Sequence, residues 1–141
     1  METENQKITI TTSISAPMEK VWTCWSEPDH IVNWTFASSD WHSPKAENDL
    51  KVDGKFMTRM EAKDGSFGFD FSGTYTKVED HQEIVYKMED GREVQILFEE
   101  EDGKVKVTEH FDPESENPRD MQQEGWQAIL DNFKKYVETQ N

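Results

Sequence analysis

Residues 15–34, SAPMEKVWTCWSEPDHIVNW, decide how the rest of the chain is read. Pro17 suits a first helical turn, where its missing N–H is not needed, and Ser15 before it is placed to cap. Met18, Val21, Trp22 and Trp25 then fall at i, i+3, i+4 and i+7, one apolar helical face. Pro28 stops that helix, and Asp29 to Trp34 fit a second short one. The stretch therefore reads as a bent helix pair.

Working outward, residues 7–14 (KITITTSI) alternate Ile8, Ile10 and Thr12 against Thr9 and Thr11, a strand with one buried face. Residues 35–50, with Pro44 and several small polar side chains, read as irregular. Asp-Gly dipeptides follow at 53–54, 64–65, 90–91 and 102–103, and Asp-Gly supplies the positive φ of tight hairpin turns. The last three of these separate good strand patterns. The expectation is an antiparallel meander with strands near 55–62, 67–78, 83–89, 92–100 and 104–111. Phe67, Phe69, Phe71, Gly73 and Tyr75 share one face of the longest strand. Ile84, Tyr86 and Met88 share one face of the next, as do Val94, Ile96 and Phe98, and then Val105 and Val107. Such a sheet needs a single cover. A polar loop at 112–118 leads to a helix over 119–138, with Met121, Trp126, Ile129, Leu130, Phe133 and Val137 on one side. Gly125 within it signals close approach to the sheet, a local adjustment that aims Trp126 inward, or a tolerated weak spot. Gly73 would help the sheet bend around the helix.

The fold class expected is α+β: a curved antiparallel sheet of about six strands around a long C-terminal helix, with two short helices after the first strand. A length of 141 residues fits one domain, 1–141, with a real core. Five Trp, eight Phe and three Tyr set the chain apart from disordered sequences. Fifteen basic against 30 acidic side chains leave a net charge of −15. That field repels nucleic acid and anionic membrane surfaces. It serves solubility, or it attracts a basic protein partner. No apolar run approaches a membrane span, and METENQKITI lacks the regions of a signal peptide. The lone Cys24 excludes an internal disulfide and reads as a buried structural thiol. A cytoplasmic location is expected, as a monomer or weak dimer.

Several motifs carry a resemblance. Ser15-Ala16-Pro17, Lys20-Val21-Trp22, Trp25, Pro28-Asp29-His30 and Trp34 form the opening. Asp49 to Phe56 form a first sheet motif, with Asp53 where a second Gly is usual. Gly73-Thr74-Tyr75, Ile84-Val85-Tyr86 and Glu124-Gly125-Trp126 with Leu130 complete the set. In order and spacing the chain, over about residues 8–138, resembles the helix-grip fold of the START and Bet v 1-like (SRPBCC) superfamily. More narrowly it is similar to the bacterial proteins related to the activator of the heat-shock-protein-90 ATPase. The resemblance implies a hydrophobic cavity between the last helix and the concave sheet, of a kind that holds lipids, sterols or flavonoid-like and polyketide-like molecules in the wider superfamily. It also implies a possible chaperone partner.

A nucleophile elbow, a P-loop and a dinucleotide fingerprint are absent, and no cofactor is called for. His30, His42, His81 and His110 lack the paired spacing of a zinc site. The acidic run Glu99 to Asp102 lacks calcium-loop spacing and reads as a solvated turn. No catalytic or metal-binding residue is assigned. A cyclase or hydrolase would need an inward polar cluster, for which His42, His110 and Tyr75 are the candidates. The inward positions are nearly all apolar, which favours a ligand held by shape and stacking over catalysis. The candidate ligand wall comprises Trp41, Phe56, Met60, Phe69, Phe71, Tyr75, Tyr86, Met88, Ile96, Trp126, Ile129 and Phe133. Trp41 and Trp126 would form the rim, near loop 35–48 and the start of the last helix. For each of these, plain core packing is the competing role.

Overall fold

A computed structural model of the chain describes residues 7–36, 38–114 and 117–139. Its elements are β1 (Ile8–Ile14), α1 (Met18–Ser26), α2 (Pro28–Ile31), β2 (Trp41–Asn48), β3 (Lys55–Ala62), β4 (Gly68–Glu79), β5 (Glu83–Met88), β6 (Glu93–Glu101), β7 (Lys104–Phe111) and α3 (Arg119–Thr139). The expected meander and terminal helix are present nearly to the residue. Residues 115 and 116 of the expected loop at 112–118 lie outside the described residues.

The strands form one antiparallel sheet of seven, in the order β1-β7-β6-β5-β4-β3-β2. The sheet curls as a half-barrel, and α3 lies along its concave side. The β3–β4, β5–β6 and β6–β7 hairpin turns use the positive φ that Asp-Gly supplies, whereas the β4–β5 turn has His81 at φ 63°. Gly65, Gly91 and Gly103 sit at φ 78°, 95° and 81°. The Asp-Gly at 53–54 does something else. Here Asp53 takes the positive φ, 70°, and Gly54 supplies close approach instead. A Cβ on Gly54 would stand 2.0 Å from the Asp49 carbonyl oxygen. The turn docks on β4: the Asp53 N–H donates to the Tyr75 carbonyl at 2.8 Å, and the Tyr75 N–H donates to the Gly54 carbonyl at 2.9 Å.

The seventh strand, β2, is a correction to the irregular reading of 35–50. Pro44 lies within it, tolerated because β2 is the sheet edge and because the register slips between His42 and Lys45. Ser15 does not cap α1, whose N-cap is Pro17 without a side-chain bond. The Ser15 backbone N–H instead donates to Glu138 Oε2 at 2.8 Å, which ties the segment before α1 to the end of α3.

Gly73, opposite Phe56 of β3, sits in a crowded position. A Cβ there would meet the Phe56 ring at 2.9 Å and the Lys87 carbonyl at 2.8 Å, so the glycine lets the aromatic lie over the strand. A bulge follows between Tyr75 and Lys77. Ile14, Val21, Ile84, Val94, Ile96, Val105, Val107, Phe111, Leu130, Phe133 and Val137 have no exposed surface and form the core. Burying a side chain of this size contributes roughly 1.5–3 kcal/mol. Cys24 is buried, and burial pushes its thiol up from the ordinary range.

Candidate functional site

A cavity of about 750 Å³ lies between α3 and the concave sheet. One end is closed by the bent helix pair. The Trp34 indole N–H donates to the Cys24 carbonyl at 2.9 Å, which locks α2 beneath α1. Trp25 and Trp34 then pack edge-on against Phe133 of α3, at centroid distances of 5.0 and 4.6 Å. Asn132 Nδ2 reaches the Trp34 carbonyl at 3.0 Å, and the Tyr136 hydroxyl lies 2.6 Å from His30 Nδ1. The motif that opens the chain is therefore an end wall as well as a support.

The long walls are aromatic. Trp126 stacks flat on Phe111, centroids 4.0 Å apart and planes 11° from parallel, and meets Phe71 edge-on at 6.1 Å. Phe56 touches Phe71, Tyr75 and Tyr86 across β3, β4 and β5. Phe69 and Phe67, 39% and 61% exposed, lie with Trp41 toward solvent at the β3–β4 hairpin.

Of the residues expected in the wall, Phe56, Met60, Phe69, Phe71, Tyr75, Tyr86, Trp126 and Ile129 line the cavity. Trp41, Met88, Ile96 and Phe133 do not. Alternation gives the side of a strand but not the depth, and Ile96 and Met88 are buried inward residues within the packed core. Phe133 is shielded by Trp25 and Trp34, which take the facing positions. Trp41 is fixed in the edge strand against Phe67 and Phe69. Along α3 the inward residue of the first turn is Gln122, while Met121 is 57% exposed. A Cβ on Gly125 would meet nothing within 4 Å, so close approach does not explain that glycine.

The polar part of the wall is where sequence reading falls short. Tyr75 donates to Asn48 Oδ1, and Asn48 Nδ2 donates to the Ser26 carbonyl at 2.6 Å, linking β4, β2 and α1. Burial pushes the Tyr75 phenol well up, although its bond to Asn48 opposes the shift. Gln122 is buried and satisfied: its Oε1 accepts from the Glu114 N–H, and its Nε2 donates to the Glu114 and Asn117 carbonyls. Glu109 is buried at 6% exposure, and burial alone pushes its carboxyl up to about 8. The signal for it was in β7. The period that places Val105 and Val107 inward continues through Glu109 to Phe111. His110, one residue on, faces the other way and meets Thr9 Oγ1 at 2.8 Å on the outer face. His42 is also outside, 3.6 Å from Glu61.

A curled antiparallel sheet gripping a C-terminal helix, with a cavity between them, defines the helix-grip, SRPBCC-type class. Residues 15–138 match the family described as Activator of Hsp90 ATPase homolog 1-like protein, and the chain belongs to that family. The solution structure of an AHSA1-like protein from Aeromonas hydrophila is 48% identical, with a TM-score of 0.85 over 93% of this chain and 92% of that one. Chr148 from Cytophaga hutchinsonii is 51% identical, with a TM-score of 0.82 over 94% and 92%. Protein NE0264 from Nitrosomonas europaea is 17% identical, with a TM-score of 0.81 over 98% and 97%, a likeness of fold alone. No curated protein matches the sequence. Among the described residues, no helix is long and apolar enough to cross a membrane.

Proposed function

We propose that the chain binds a hydrophobic, aromatic small molecule in the cavity between α3 and the sheet. The observation that carries this reading is the aromatic cavity of about 750 Å³, a size typical of small-molecule sites. Rings of Phe56, Phe71 and Trp126 offer faces and edges for stacking, while Tyr75, Tyr86 and Glu109 supply a few polar positions. Trp25, Trp34 and Trp126 report on occupancy because all of them line the cavity. Titration with flavonoid, fatty-acyl and polyketide-like compounds is expected to give a saturable change in tryptophan fluorescence. Absence of saturation with every class counts against the reading. The protein would work in the cytoplasm, where a lone buried thiol stays reduced.

A second reading is a chaperone-associated module. The family's description, together with the exposed Phe67 and Phe69 beside Trp41, supports it. The check is the ATPase rate of an Hsp90-type chaperone with and without this protein at low salt. An unchanged rate, with no complex on gel filtration, rejects it.

A further inference from the structure

Glu109 is an acid on the cavity wall with no partner. Among the described residues the wall carries three other acids, each of which has one. Glu47 has Lys45 at 3.3 Å, Asp90 has Arg92 at 2.8 Å, and Glu114 accepts from the Asn117 backbone N–H at 3.0 Å. Beyond the backbone ladder of β7, no hydrogen bond or ion pair from any described residue reaches the Glu109 carboxyl. The Tyr86 hydroxyl is in the same position. Every side-chain nitrogen or oxygen shut away from solvent among the described residues has a partner. The Glu109 carboxyl and the Tyr86 hydroxyl must therefore keep their polar atoms open to the cavity. The two groups are close enough for the charge of Glu109 to add to burial in pushing up the Tyr86 phenol.

The chemistry of an occupant follows. An apolar molecule would strip water from Glu109 and return nothing to it. An anion would meet an uncompensated acid in a molecule of net charge −15. Arg92, the only basic residue of the wall among the described residues, is already committed to Asp90. A cation supplies both charge and donors to Glu109, and the surrounding aromatic faces attract it as well. We propose that the ligand is a hydrophobic organic cation, an aromatic amine whose ammonium group sits at Glu109 and Tyr86 while its rings lie against Phe71 and Trp126. This deepens the small-molecule reading and rests on it.

The proposal has a proton signature. An ammonium at Glu109 favours the ionised carboxyl, so below the raised pKa of about 8 each amine that binds expels a proton. The titratable and charged groups facing Glu109 across the cavity are Tyr75 on β4, Tyr86 on β5, Asp90 and Arg92 at the β5–β6 turn, Glu47 on β2 and Glu114 after β7. No histidine lines the wall, and α3 adds no titratable group to it.

Calorimetric titration with a matched set tests the proposal: 1-naphthylmethylamine, 1-naphthylmethanol and 1-naphthoate. The wild type should bind the amine at least about tenfold tighter than the alcohol, and the carboxylate most weakly. Amine affinity should rise close to tenfold per unit between about pH 6 and about pH 7.5, with proton release, while alcohol affinity stays level. Glu109→Gln should bring the amine down to the alcohol and leave the alcohol unchanged. An alcohol that binds as tightly as the amine, an amine affinity independent of pH, or an amine preference surviving in Glu109→Gln overturns the proposal and leaves the cavity reading standing. If none of the three binds, the amine proposal falls, while the cavity reading is decided by the fluorescence titration. The pH series needs no variant, so it stands even if Glu109→Gln fails to fold.

Discussion

Glu109 couples the cavity to protein stability. Its carboxyl sits near 8 in the folded chain against an ordinary 4.5, so folding favours the protonated form. Its contribution is fully present below about pH 4.5 and is lost as pH rises toward about 8, a change of a few kcal/mol at one pKa unit per 1.4 kcal/mol. Glu109→Gln should therefore match the wild type near pH 4.5 and exceed it at pH 8, as read from thermal midpoints across that range. The acids of opposite tendency, held down by hydrogen bonds and cations, include Glu83 beside Gln95 and Lys77, and Asp112 beside Lys7. They lose their contribution as pH falls, in both proteins alike. Glu109 was legible only as a phase in β7. Nothing in a composition of 30 acids singles it out, and its burial is set by α3 and the opposite strands.

Secondary structure was legible wherever turn chemistry and periodicity agree, as from β3 through β7. It failed at β2 because Pro44 and the bulge after His42 break the alternation that marks a strand, while pairing with β3 overrides the local signal. The two unusual glycines of this region and of α3 behave in opposite ways. Gly54→Ala would drive a methyl into backbone at 2.0 Å and should cost at least about 2 kcal/mol in denaturant unfolding. Gly125→Ala fills open space in a helix and should stabilise by about 0.5–1 kcal/mol. Sequence alone could not separate these, because a crowded glycine and a free one look the same until the neighbouring backbone is placed.

For the whole molecule, the aromatic surplus under an acidic skin was readable from composition, and the cavity was readable only as an implication of the fold. Which aromatics face it depended on Trp25 and Trp34 standing in front of Phe133, a matter of depth that no strand or helix period records. With a net charge of −15, self-repulsion opposes the compact state. The thermal midpoint should climb as sodium chloride rises from about 0.02 to about 0.3 M, as the screening length shortens.

The sheet never closes, and its β2 border runs free along one side of the molecule. A free border is a template on which another chain can add a strand. Pro44, with no N–H to offer, and the slipped register beside it spoil that template. The protection of that border rests on one imino acid that, on local preference alone, has no business in a strand. Pro44→Val should restore a regular edge, and its sedimentation profile should shift toward larger species with rising protein concentration more than that of the wild type.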